Sequence, residues 1–137
     1  MYYEFRLATP ANTPSSAPIE TELQLDEGVV TGVEVLFPPG CVGLVHLQVR
    51  RETHQLFPAN ADADLVGDTF PIRWREELEV GERPYVWTAV TWNDDDSYPH
   101  TVTLRLELTP MAIWARSRPA IAALEYLAQW FAQGAAP

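Results

Sequence analysis

Residues 85–108 read YVWTAVTWNDDDSYPHTVTLRLEL, two β-rich runs separated by a polar, turn-forming cluster. That pattern predicts an antiparallel hairpin. In the second run Val102, Leu104, Leu106 and Leu108 alternate strictly with Thr101, Thr103, Arg105 and Glu107, so one face is apolar and the other wet. The first run carries bulk on both alternating sets, Tyr85 and Trp87 on one, Val86, Val90 and Trp92 on the other. It is expected to be a central strand covered on both sides.

Upstream, GERP turns the chain into this pair. Phe70, Ile72 and Trp74 alternate with Pro71, Arg73 and Arg75, and the proline confines that strand to a sheet edge; Leu78 and Val80 extend it. The broken stretch RRETHQLFPANADADLVGD allows brief pairing at His54–Phe57 before a long loop through Gly67, whose length suggests a contact role. Between Val42 and Arg50, Val45, Leu47 and Val49 oppose His46, Gln48 and Arg50. Pro38-Pro39-Gly40 closes the preceding strand, Val29–Phe37, because proline lacks the ladder N–H and glycine permits positive φ. Ile19–Leu25 and Tyr2–Leu7 complete the set, and between them the Pro/Ser-rich arm, Ala8 to Pro18, reads as extended chain without a core of its own, of the kind that drapes over a neighbour and supplies contacts to a partner. Seven or eight strands at this spacing predict a mainly β domain over residues 1–110, an antiparallel β-sandwich or jelly roll.

After Pro110 the character changes. Ser117 is the expected N-cap, Pro119 sits in the first turn and Gly134 follows the last helical residue, so the punctuation predicts a helix from about Arg118 to Gln133 within a C-terminal segment, 111–137. Ile121, Leu124, Leu127, Ala128 and Phe131 form one apolar face, with Tyr126 and Trp130 beside it; only Glu125, Gln129 and Gln133, spaced by four, make a polar stripe. A helix apolar over most of its circumference must be buried. Either it caps an open end of the sandwich, or it packs on a neighbouring subunit or a different protein. The uncharged, aromatic-rich surface suits an interface core, which nominates Trp114, Ile121, Leu124, Tyr126, Leu127, Trp130 and Phe131 as partner-contacting residues.

Net charge is −10. All nine basic residues are arginine; seven of them stand against eighteen carboxylates up to Pro110, leaving −11 there, whereas Arg116, Arg118 and Glu125 leave +1 beyond it. An acidic chain without clustered basic residues is not expected to wrap nucleic acid. No run of eighteen apolar residues is present to cross a membrane, and the N-terminus lacks the basic and apolar regions of a secretory signal, so a cytosolic product is expected. One cysteine, Cys41, excludes an internal disulfide framework and a multi-cysteine metal site.

Several constellations invite chemistry. Asp94, Asp95 and Asp96, and separately Asp62, Asp64 and Asp68, are clustered oxygen donors of the kind calcium takes, although neither has the spacing of an EF-hand loop and the first serves equally as a turn. His46, His54 and His100 lack the close His-x-His pair of a cupin. There is no Gly-x-Ser-x-Gly elbow, no cysteine-centred nucleophile motif and no glycine-rich phosphate loop. The expectation is therefore a protein that is not an enzyme, with no cofactor. Trp74, Trp87, Trp92, Tyr85 and Tyr98 leave sugar stacking open as an alternative to core packing.

The passage from PPGCVGLVHLQV through HQLFPAN and GDTFPI to TWNDDDSYPHTVTLRLELTP resembles small β-sandwich virion proteins of tailed bacteriophages, of the head-decoration or accessory capsid kind. The resemblance covers residues 30 to 110. It implies a structural protein of the virion, made in the cytoplasm of the producing cell, that binds a capsid protein or forms homo-oligomers, trimers above all, and has no catalytic residues. The C-terminal helix lies outside it. The functional expectation is a non-enzymatic protein that self-assembles or docks on a larger particle; the alternative is a carbohydrate- or receptor-binding module.

Overall fold

The structure, a computed structural model, describes residues 1–134, and side-chain surroundings for all of these except 119–123. Eight strands and two helices follow one another: β1 (Tyr2–Thr9), β2 (Ile19–Gln24), β3 (Gly28–Leu36), β4 (Val45–Arg51), β5 (His54–Phe57), β6 (Ile72–Val80), β7 (Val86–Asn93), β8 (His100–Thr109), α1 (Met111–Arg116) and α2 (Pro119–Ala132). They form two four-stranded sheets, in the orders β1-β8-β3-β6 and β2-β7-β4-β5. Every pairing is antiparallel. Only β4 and β5 are consecutive strands that share a sheet; every other connection passes from one sheet to the other, which is the winding of a jelly roll.

The alternating apolar positions build the core between the sheets. Val102, Leu104, Leu106 and Leu108 of β8 are buried and lie beside Val30, Val33 and Val35 of β3. Facing sheet residues include Leu23, Leu47, Val49, Trp87 and Ala89, all buried. Phe57 meets the edges of Trp74 and Trp87 at 5.4 and 6.4 Å between ring centres, the inclined geometry that aromatic quadrupoles favour. As expected, β7 is central and β6 is an edge. β6 turns Arg73, Arg75, Glu77 and Glu79 outward, and such charges on an edge oppose pairing with a stray strand.

The hairpin expectation for 85–108 is overturned. β7 pairs with β2 and β4, β8 with β1 and β3, and residues 94–99 form an arch from one sheet to the other. Alternation records which face is buried, not which neighbour supplies the ladder. The arch is tied instead to the arm, where Asn12 N–H donates to Asp95 O at 2.8 Å while Thr13 and Asn93 exchange backbone bonds of 3.1 and 2.9 Å. The arm is likewise corrected. Ala8 and Thr9 belong to β1, and the following residues lie along this chain's own arch.

Three smaller corrections concern element ends. Phe70 is exposed and outside β6, which begins at Ile72 and runs unbroken to Val80. Residues 42–44 precede β4, with Val42 at positive φ. Ser117 closes α1 rather than opening α2, whose N-cap is Arg118 without a side-chain cap; a short helix over 111–116 displaced the expected start.

Candidate functional site

The C-terminal segment leaves the sandwich through α1, which packs beside β3. Trp114 is half-buried at its base, with the Arg118 guanidinium over its ring at 4.8 Å. Arg118 is in turn ion-paired with Glu77 of β6, so cation–π and charge attraction act at the same joint. Within this joint the Trp114 indole Nε1 is buried and has no hydrogen-bond partner among the described residues.

Beyond the joint, every described side chain of α2, 124 to 132, is exposed. Leu124 is 67%, Tyr126 68%, Phe131 65%, Leu127 49% and Trp130 38% exposed. Trp130 and Phe131 cover each other in part, edge to face at 5.0 Å. With large side chains offering about 150–250 Å² each, these five present roughly 600 Å² of apolar-rich surface, as much as the largest patch on a typical monomer. Six of the seven nominated partner residues are placed by this arrangement: Trp114 at the base, the other five along the helix. Ile121 falls within α2, but its side chain lies outside the described residues.

The acidic clusters have internal work. Asp95 accepts from Ser97 N–H and Tyr98 N–H at 2.9 and 3.2 Å and lies 2.9 Å from His100 Nε2. Its carboxyl is held below the ordinary carboxylate value, first by the His100 bond and then by the backbone donors. Asp94 and Asp64 flank the His46 ring, Asp94 at 2.8 Å from Nε2 and Asp64 at Nδ1. That ring stacks on Trp92 at 4.9 Å and 5°. Asp68 accepts from Gly40 N–H at 3.1 Å. Among the described residues no group of three His, Cys, Asp or Glu side chains is arranged to hold a metal ion.

Cys41 is buried, and burial, followed by the Asp68 and Asp95 charges, pushes its thiol up to about 11. A thiol in that state is a poor nucleophile at neutral pH. Of the aromatics considered for sugar stacking, Trp74 packs against the core, Trp87 is buried within it, and Trp92 is covered by His46. Tyr85 is half-buried against the core, and Tyr98 is exposed. Across the outer face of the first sheet runs a row of alternating charge, Glu4, Arg105, Glu34 and Arg73, joined at 3.0, 3.4 and 2.9 Å. An open cleft of about 400 Å³ on this face is lined by Glu34, Arg73 and Arg105 of the row together with Gly32, Arg75 and Glu107.

Sequence reasoning missed the Asn93 brace of the arch, the His46 clamp and the charge row. The row has a legible signal, since outward positions of four strands carry alternating signs, but it appears only once the strand order is known. Searches with models of known protein families and against curated proteins found no match to this chain. Among the described residues, Asp64, Asp68, Asp94 and Asp95 are engaged by this chain's own groups, while the apolar side chains of α2 from Leu124 to Phe131 are exposed.

Proposed function

We propose that this chain is a non-enzymatic structural protein that assembles into, or docks on, a larger particle, in the manner of an accessory protein of a phage virion. The observation that carries the reading is the uncovered apolar surface of α2. Leaving such a patch in water forgoes about 25 cal/mol for each Å² that a partner would cover, so the helix is suited to contact rather than to solvent. The jelly-roll order supports the particle reading at the level of architecture, since this winding is common in capsid domains and also in lectins. The satisfied carboxylates and unreactive thiol support a role without catalysis. The carbohydrate alternative loses Trp74 and Trp87 to the core and keeps Tyr98.

The test compares the full chain with a Leu127→Glu/Phe131→Glu variant by light scattering, by binding of a dye that brightens on apolar surface, and by thermal melting. Docking through α2 predicts a wild type that either exceeds the 15.4 kDa chain mass or binds the dye. The variant should lose that property while its sandwich melts unchanged. A monomeric wild type without dye binding, whose variant melts several degrees lower, would show the helix to be part of this chain's own core and would end the proposal.

A further inference from the structure

We infer that the cleft on the outer face of the first sheet, between Arg75 and Glu107, binds a monoanionic sugar acid, a small ligand with one carboxylate beside hydroxyl groups; this is independent of the reading of α2. The first argument is the floor. Gly32 pairs with Arg75 of β6 on one side and with Glu107 of β8 on the other, so a side chain there would fill the space between them. Glycine weakens a strand interior and marks a bulge or a place where another group comes close to the backbone. The irregularity beside Gly32 does not demand glycine, because Gly32 is not among the residues at positive φ. Space does not demand it either, since the nearest atoms to a Cβ there belong to Glu107, at 3.4 Å or more. The missing side chain therefore serves the opening above it.

The second argument is charge. Three guanidiniums line the cleft. Arg73 and Arg105 are committed to Glu34 at 2.9 and 3.4 Å, and Arg105 also to Glu4 at 3.0 Å; the Glu34 carboxyl is held below the ordinary carboxylate value, first by the Arg73 bond. Arg75 has no ion-pair partner among the described residues. Its sequence neighbours are engaged elsewhere, Glu76 by Trp74 Nε1 at 2.8 Å and Glu77 by Arg118. One guanidinium is thus left for an anion, and a planar fork of N–H donors matches a carboxylate. Across Gly32, Glu107 accepts from the Thr31 hydroxyl through Oε1 at 3.0 Å, and its Oε2 lies over the glycine. That oxygen accepts hydroxyl protons and repels further negative charge, which favours a hydroxylated monoanion over a phosphate or a dicarboxylate.

The third argument is size. About 400 Å³ is at the small end of the range for small-molecule sites, and the exposed Tyr2 supplies an aromatic ring at the rim. A second open cleft, of about 630 Å³, shares Arg75 and Glu107, so the neighbouring units of a glycan would have room.

The test follows backbone amide resonances of the isotope-labelled full chain during titration with glucuronate, gluconate, methyl glucuronide and neutral glucose. Saturable shifts at Gly32, Arg75 and Glu107 are expected with the acids and not with glucose, at a dissociation constant of about 1 mM, as suits a small ligand in an open cleft. Binding of the methyl glucuronide assigns the site to a sugar acid within a glycan; binding of the free acids without it assigns the site to a free sugar acid. Arg75→Gln should weaken binding about tenfold or more through loss of a charge-assisted hydrogen bond. Gly32→Val should weaken it as much while melting no lower than the wild type, which separates a filled cleft from a damaged strand. Arg6→Gln removes the same charge from an exposed position of β1 outside the cleft and should bind as the wild type does. The inference is overturned by the absence of saturable shifts with every acid, by equal affinity for glucose, by undiminished binding in Arg75→Gln, or by an equal loss in Arg6→Gln.

Discussion

Asn93 is where the arch between the sheets should prove most sensitive. Its side chain is buried and makes three bonds: Nδ2 donates to Tyr98 O at 3.0 Å and to Thr9 O at 3.4 Å, and Oδ1 accepts from Asp95 N–H at 2.9 Å. Asn93→Ala removes all three and leaves buried backbone groups without these partners. Two bonds of ordinary length and one long one, at about 1 kcal/mol each for neutral groups, put the cost at about 2–3 kcal/mol. For a sandwich of this size, about 4 °C per kcal/mol turns that into a fall in melting temperature of about 8–12 °C. Asn93→Asp sharpens the test, because it keeps the acceptor for Asp95 N–H but turns an oxygen toward two carbonyls. It should be at least as damaging at neutral pH and recover in part in acid, where a protonated carboxyl donates again. The control is Asp96→Ala on the same loop, exposed and expected to shift the melt by less than about 2 °C. Calorimetry or circular dichroism reads all three; an Asn93→Ala melt within 2 °C of wild type, or an equal loss in Asp96→Ala, would refute the assignment of the brace.

Other perturbations probe the core, the acid response and the thiol. Leu104→Ala empties a fully buried position between β3 and β1 and should cost about 2–5 kcal/mol by urea unfolding without changing the dependence on denaturant. The Asp95 carboxyl is depressed in the folded chain, so its contribution is present above the ordinary carboxylate value and is lost as pH falls through the lower folded one, that is below about pH 4. His100→Ala removes the leading cause, so melting temperature should be lower at neutral pH and fall less steeply on acidification; an unchanged acid slope would count against the pair. Cys41 should resist a thiol-reactive disulfide reagent in the folded chain at pH 7 and react with one equivalent in denaturant, and rapid labelling of the folded chain would contradict its burial.

What the sequence disclosed was set by what alternation encodes. Val102 to Leu108 announced a one-sided strand, because burial acts directly on side-chain identity, and β8 is one; Tyr85 to Trp92 suggested a doubly covered one, but β7 is central in its sheet with only its inner face fully buried, since Val86, Thr88 and Trp92 on the other face stay half-exposed. Pro71 and the outward arginines marked the β6 edge for the same reason. Strand partners were a different matter. NDDDSYPH has the composition of a turn whether the chain returns beside itself or crosses to the facing sheet, and the deciding bonds come from Asn12 and Thr13, some eighty residues away. Asn93 was legible only as a polar turn residue; its burial follows from the arch that it helps to hold. Among the nominated contact residues, those on α2 stood out by composition, while the Trp114 joint depends on Arg118 and Glu77 meeting across the fold.

The division of charge and apolarity along the chain links these readings. On the sandwich, carboxylates are spent locally, as an Asx-like brace at Asp95, a clamp on His46 and a row of pairs from Glu4 to Arg73. Exposed pairs of this kind contribute about 0–1 kcal/mol each, so they mainly give the outer face a fixed pattern and a net repulsion between bodies. Between two copies, repulsion of that sort would oppose any approach of sandwich to sandwich, and it would be least where the charge is lowest. The apolar helix supplies that approach, and its attraction has the opposite salt dependence: screening weakens the repulsion and leaves apolar burial intact. Assembly through α2 should therefore strengthen as salt is raised from about 0.05 to 0.5 M, where an assembly held by the Arg–Glu row would weaken, and the sign of that dependence in light scattering separates the two.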